Sequence, residues 1–199
     1  VKGIAVALEE STWVERARRG DEVAFAAIYD RYERRIFAYV YRIMGNPDDA
    51  ADLTQETFVK AYQALPRLEP EQEMNLSAWL HRIASNACMD VLRRKRIVNW
   101  LPWEHERGQG EGVSEPSTHR LSDDPERSYE RQETSKQVQA ALNRMSPRNR
   151  MALILKEYQD LPCDEIAAIL DVSRGAVKSI LFRAREEFRK LYMESSRSA

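Results

Sequence analysis

The sequence predicts an all-α protein made of two small helical domains joined by a flexible linker. A four-helix N-terminal domain is expected over residues 1–97, an acidic linker over 98–134 and a C-terminal helix-turn-helix domain over 135–199. Three observations carry this expectation. Apolar residues recur at i, i+3, i+4, i+7 through most of the chain, the spacing of one helix face. A stretch rich in Gly, Pro, Ser and Glu interrupts that pattern after Val98, and so long a structureless loop is improbable inside one compact domain. The chain then closes on a short helix, a turn of three or four residues and a longer helix.

The first elements follow from punctuation and periodicity. Thr12–Arg19 reads as a short helix capped by Ser11 and stopped at Gly20. Asp21 caps a longer one whose stripe is Phe25, Ile28, Tyr29, Tyr32, Ile36, Val40, Ile43 and Met44. Gly45-Asn46-Pro47 ends it, and Asp48-Asp49 open a third helix at its dipole-positive end. In that third helix Ala50, Leu53, Thr57, Phe58, Ala61 and Leu65 face the core. Asp52, Gln55, Glu56 and Val59 share another face, with Lys60 beside them. Two carboxylates, an amide and one apolar side chain suit a partner surface bearing arginines, and they equally suit a solvated face.

After the polar break PRLEPEQEMN comes a fourth helix burying Leu76, Leu80, Ile83, Ala84, Ala87, Val91 and Leu92. Its outer face carries Trp79, Arg82, Asn86, Met89 and Arg93, and it ends in the cluster Arg93-Arg94-Lys95-Arg96. Cations at a helix C-terminus complement the macrodipole, which is one reading of the cluster. The other is single-stranded nucleic acid: charges follow phosphates, the indole stacks on a base and the amide reads a base edge.

The linker opens with NWLPW, whose Trp100 and Trp103 are expected to pack back on the first domain. Past it, Val138, Ala141, Leu142 and Met145 mark one helix; Ser146-Pro147 starts another that continues through Met151, Ile154, Leu155 and Tyr158. A helix from about Pro162 to Leu170, the connection Asp171-Val172-Ser173 and a last helix capped by Ser173 form the helix-turn-helix. Val177, Ile180, Leu181, Ala184, Phe188 and Leu191 are its core stripe, while Arg174, Lys178, Ser179, Phe182 and Arg183 lie off it. Residues 174–190 hold six Lys/Arg against two Glu. Arg and Lys can read guanine edges, Ser a base or phosphate, and Phe a thymine methyl.

Two motifs resemble one bacterial family. The acidic helix with Asp52, Gln55, Glu56 and Phe58, followed by Trp79, Leu80, Ile83, Ala84, Asn86, Asp90, Arg93, Arg94 and Arg96, is similar to the second region of extracytoplasmic-function sigma factors, the promoter-recognition subunits of RNA polymerase. The run from Met145 through the last helix is similar to the family's fourth region, with Met145 where Leu is usual. The resemblance covers about 11–97 and 135–192. It implies that Asp52, Gln55, Glu56, Val59 and Lys60 bind the coiled-coil of the polymerase's largest subunit. It also implies that Trp79, Arg82, Asn86, Arg93, Arg94 and Arg96 hold the melted −10 element, with the loop Pro66–Asn75 flanking a pocket for a flipped base. Arg174, Lys178, Ser179, Phe182 and Arg183 would read the −35 element, with the polymerase flap nearby. An anti-sigma factor is a further partner the family implies.

Other function classes fit poorly. There is no Gly-rich phosphate loop, nucleophile–base pair or metal cluster, so neither enzyme chemistry nor a cofactor is expected. Cys88 and Cys163 are far apart without ligand spacing and read as buried free thiols of a cytoplasmic protein. No run approaches 18 apolar residues, so no membrane insertion is expected, and VKGIAVAL is too short for a signal peptide. The Lys/Arg minus Asp/Glu balance is 0 over 1–97, −5 over 98–134 and +4 over 135–199, which argues for separate surfaces with separate partners. The alternative is a stand-alone helix-turn-helix regulator binding duplex DNA, but the N-terminal half has no α/β alternation and no phospho-acceptor pocket.

Overall fold

The computed structural model describes the backbone of residues 2–68, 75–98 and 125–197, with side chains over 9–68, 75–95 and 133–195. All regular structure among them is helical. The helices are α1 (Lys2–Arg18), α2 (Glu22–Met44), α3 (Pro47–Ala64), α4 (Leu76–Val98), α5 (Pro125–Arg144), α6 (Pro147–Glu157), α7 (Cys163–Leu170) and α8 (Arg174–Arg197), with a 3-10 turn at Leu65–Arg67. The first four make one lobe and the last four another.

The junctions of the first lobe are set by side-chain caps. The Asp21 carboxylate accepts from the amides of Val23 (3.0 Å) and Ala24 (3.1 Å) and pairs with Arg16 at 2.7 Å. These bonds, the Ala24 amide first, hold its pKa below the usual carboxylate value. Gly45 ends α2 at φ +71°, its amide bonded to the Tyr41 carbonyl at 2.8 Å. Asn46 accepts from the amides of Asp48 (2.8 Å) and Asp49 (3.0 Å) as the cap of α3, Pro47 takes the first helical position, and Asp48 and Asp49 stand in the first turn as expected. Helix α1 begins well before Thr12, and the Tyr32 hydroxyl on α2 donates to Glu10 at 2.9 Å, joining that extra length to the lobe.

In the second lobe α5 starts at Pro125, inside the stretch expected to be linker up to residue 134. Residues 125–137 are rich in Glu, Arg, Gln and Lys but have no apolar stripe, so good helix formers there escape a periodicity reading. Ser146 sits at the N-cap of α6 yet makes no side-chain cap bond. Glu187 of α8 takes over. It accepts from the Ser146 amide (2.7 Å), the Ser146 hydroxyl (3.0 Å) and the Asn149 amide group (2.6 Å). Asp171 ends α7 in the left-handed region at φ +52°, a conformation Asp tolerates better than most residues. The Val172 amide then reaches the Ala167 carbonyl at 3.0 Å, and the Ser173 hydroxyl caps α8 through Ala176.

The lobes pack on each other: α7 lies against α4, and α5 and α6 against α2. Their buried apolar residues form one cluster that runs from Val14 to Ala184. Cys88 is buried, and burial pushes its thiol up to about 12. Cys163, at the first position of α7, is only half-buried, contrary to expectation, because the outer side of that turn faces solvent.

Candidate nucleic-acid and partner interfaces

Helix α3 turns its apolar stripe inward as its spacing predicts. Ala50, Leu53, Thr57, Phe58, Ala61 and Leu65 are all buried, and Phe58 meets Tyr29 edge-on at 4.7 Å. That leaves Asp52, Gln55, Val59 and Lys60 exposed and Glu56 half-exposed on one outer face. Lys60 already pairs with Glu56 at 2.6 Å. An exposed pair of this kind holds about 0.5 kcal/mol, so an incoming arginine displaces Lys60 at little cost. Sequence reasoning missed Tyr62, exposed on the same side one turn on, where it contacts Phe25 at 5.0 Å. Tyr62, Phe25 and Tyr29 widen the apolar part of this face onto α2.

Helix α4 has two buried faces rather than one. Leu76, Leu80, Ala84 and Ala87 pack into the first lobe as predicted. His81, Ser85, Cys88 and Leu92, at i, i+4, i+7 and i+11, form a second stripe that faces α2 and the other lobe. The Ser85 hydroxyl lies 2.7 Å from that of Tyr39 and donates to the His81 carbonyl at 2.7 Å. Between the stripes stand Arg82, Asn86 and Arg93, all exposed. Trp79 is half-buried, packed against the core, where its position suggested a fully outward ring.

The basic end of α4 is partly neutralised. Lys95 bridges to Asp49 at 2.6 Å, Arg93 stands 3.8 Å from Asp90, and Arg94 donates to the Asp90 carbonyl. The Arg96 side chain, residues 69–74 of the expected loop, and Trp100 and Trp103 lie outside the described residues.

Helix α8 presents the predicted face. Lys178, Ser179, Phe182 and Arg183 are exposed, opposite the buried Val177, Ile180, Leu181 and Ala184. Phe182 is 68% exposed. Arg174 is tethered to Asp164 of α7 at 3.1 Å. Arg183 and Ser179 border a groove that continues to Arg148 and Asn149 at the start of α6. Those two residues were not singled out from the sequence; their place directly after Ser146-Pro147, in the first turn of α6, was the available signal.

No group of three His, Cys, Asp or Glu among the described residues could hold a metal ion, and no described helix is long and apolar enough to cross a membrane. A family model for sigma-70 region 2 matches residues 28–97, and one for sigma-70 region 4 matches 135–188. The chain is 32% identical over 179 residues to the ECF RNA polymerase sigma factor SigW of Bacillus subtilis, covering 89% of this chain and 93% of that one. It is 30% identical over 197 residues to the RNA polymerase sigma-H factor of Pseudomonas aeruginosa, covering 96% and 97%. The chain belongs to the extracytoplasmic-function (ECF) sigma factors.

Two solved structures share the fold of this sigma factor. CnrH, in complex with the cytosolic domain of CnrY, aligns with a TM-score of 0.64 at 24% identity, covering 92% of this chain and 96% of that one. The sigma factor RpoE of Bartonella quintana, in complex with the anti-sigma factor NepR, aligns at 0.63 and 24%, covering 84% and 95%. As a sigma factor the chain is a promoter-specificity subunit, and its partners are RNA polymerase core and promoter DNA.

Proposed function

We propose that this sigma factor divides promoter recognition among three helix faces. The outer face of α3 binds polymerase core, that of α4 holds the melted −10 strand, and that of α8 reads the −35 element. The observation that supports this most directly is that each face is exposed while the opposite side of the same helix is buried. Packing of the buried side therefore holds these side chains in register on the solvent side of each helix.

Each face suits its target chemically. On α3, Asp52 and Glu56 offer carboxylates for bidentate arginine contacts, Gln55 adds an amide, and Val59 with Tyr62 supplies a desolvated centre. On α4, Arg82 and Arg93 follow phosphates while the Asn86 amide meets a base edge. On α8, Lys178 and Arg183 reach the major groove, Phe182 lies against a thymine methyl, and Arg148 beside them takes a phosphate. The chain itself makes and breaks no bonds; the chemistry belongs to the polymerase, and both work in the cytoplasm. An anti-sigma factor is a further partner of this surface.

Run-off transcription tests the reading. Core polymerase with this chain should initiate at a defined subset of a promoter library, and neither component alone should do so. If the chain alone shifts duplex promoter DNA and adds nothing to core, a stand-alone regulator is the correct description instead.

A further inference from the structure

The two lobes are joined by more than apolar contact. Arg150 of α6 is 5% exposed, and its guanidinium donates across the boundary to the Ile43 carbonyl at the end of α2. The same group donates to Asn143 (2.5 Å) and Met145 (3.0 Å) within its own lobe. Arg35 of α2 donates to the Gln159 side chain at 2.7 Å and its carbonyl at 3.2 Å. Arg42 lies 4.2 Å from the centre of the Tyr158 ring, and Gln139 donates to the Arg42 carbonyl at 3.1 Å. Charge-assisted bonds and a cation–π contact at one boundary describe a built interface.

This arrangement conflicts with promoter reading. The cleft between the lobes, of about 590 Å³, has Arg82, Asn86 and Met89 on one wall and Arg148, Met151 and Leu170 on the other. A strand laid on Asn86 therefore meets the second lobe. The larger conflict is distance. Elements named −10 and −35 lie about 25 base pairs apart, which is roughly 85 Å along B-form DNA. Helices α4 and α8 both touch α7, a helix of eight residues and therefore about 12 Å long. The closed chain cannot engage both elements. The segment 99–124 between Val98 and Pro125 holds 26 residues, whose greatest reach is roughly 90 Å. That length matches what separation demands.

We propose that the free chain inhibits itself. The second lobe docks on the His81–Ser85–Cys88 stripe of α4 and walls one side of the −10 face, latched by Arg35–Gln159 and Arg42–Tyr158 and anchored by Arg150, with no other protein required. The outer face of α3 packs against nothing in the second lobe beyond marginal contact, so polymerase can land there first and then draw the lobes apart. This inference rests on the division of faces proposed above. Because opening precedes full engagement, weakening the latch raises apparent affinity for polymerase by the factor in which it raises the open fraction.

The test compares the full-length chain with the variant R35A/Y158A/Q159A, none of whose sites lies on a proposed DNA or polymerase face. Small-angle X-ray scattering should give the wild type a radius of gyration near the roughly 17 Å of a compact 199-residue chain. The variant should expand by about a third, as expected when two lobes no longer pack on each other, with helical circular dichroism unchanged. If its helicity falls, R35A alone serves as the second variant. Titration with core polymerase alone should show the variant binding at least about fivefold more tightly. A wild type already expanded in solution overturns the proposal, as does a latch variant that stays compact. An expanded variant that binds core no better overturns it too. Failure of both proteins to bind core would instead remove the sigma reading, while scattering still decides whether the chain closes.

Discussion

His81 offers a perturbation whose size follows from its surroundings. Its ring is fully buried on α4, 5.0 Å from the Tyr39 ring at a steep angle, with Arg35 of α2 and Gln159 of the second lobe beside it. The Ser77 carbonyl, 2.7 Å from Nδ1, can only accept, so Nδ1 carries the proton and Nε2 is left as a lone pair without a hydrogen-bond partner. Burial lowers the pKa from 6.5 to about 4, against the opposing pull of the Ser77 carbonyl and with a further push from Arg35. The unfolded chain thus takes up a proton near pH 6.5 that the folded chain refuses until about pH 4. Stability is complete above pH 6.5, declines as pH falls through that window, and changes no further from this group below it. The interval corresponds to about 3 kcal/mol, a substantial part of the 5–15 kcal/mol typical of a domain. Urea unfolding of wild type and H81L between pH 7.5 and 4 measures it. Carboxylates common to both proteins cancel in the difference, so the wild type's advantage over H81L should shrink by about 3 kcal/mol across that range. Parallel curves would show that His81 titrates in the folded protein as it does in the unfolded chain.

Other expectations concern single positions. R150M leaves the Ile43, Asn143 and Met145 carbonyls without their charged donor and should cost about 3 kcal/mol in thermal unfolding; a loss below about 1 kcal/mol would mean water replaces the guanidinium. Q55A/E56A should weaken core binding by about 2 kcal/mol with unchanged helicity, and normal binding would remove α3 from the interface. R183A should lower transcription and relax preference at one or two −35 base pairs, by about 1–3 kcal/mol if the contact is bidentate, whereas a uniform loss makes Arg183 a phosphate contact. N86A should slow open-complex formation on duplex promoters more than on templates carrying a mismatch bubble; equal defects on both would show that Asn86 does not act in melting.

The parts of this fold that were legible in the sequence are those where apolar residues alone mark the buried side. The inward stripe of α3 and the Val177-to-Ala184 stripe of α8 were read without error, because each helix buries one face against hydrophobic neighbours. With the stripe known, the exposed residues Asp52, Gln55, Val59, Lys178 and Arg183 follow by subtraction. What escaped notice is built from polar groups. The second buried face of α4 runs through His81, Ser85 and Cys88, and hydropathy does not mark the first two as interior. Their burial depends on partners distant in the chain, Tyr39 for Ser85 and the Arg35–Gln159 pair beside His81. The same reason hid the cap of α6. Ser146 and Pro147 announced a helix start correctly, yet the group that satisfies the turn is Glu187, forty-one residues later. Trp79 departs in the opposite direction: its place on an outer face suggested an exposed ring, but an indole is large enough to pack partly on the core, and it is half-buried there. Local periodicity therefore locates the exposed faces of these helices, since those are what one-sided packing leaves over. The boundary between the lobes depends on Arg150, Arg35 and Gln159, whose partners only the folded chain brings together. A residue whose role is to hold two lobes against each other, and later to release them, has reason to be polar. Its bonds can be exchanged for water when the lobes part, whereas an exposed apolar seam could not.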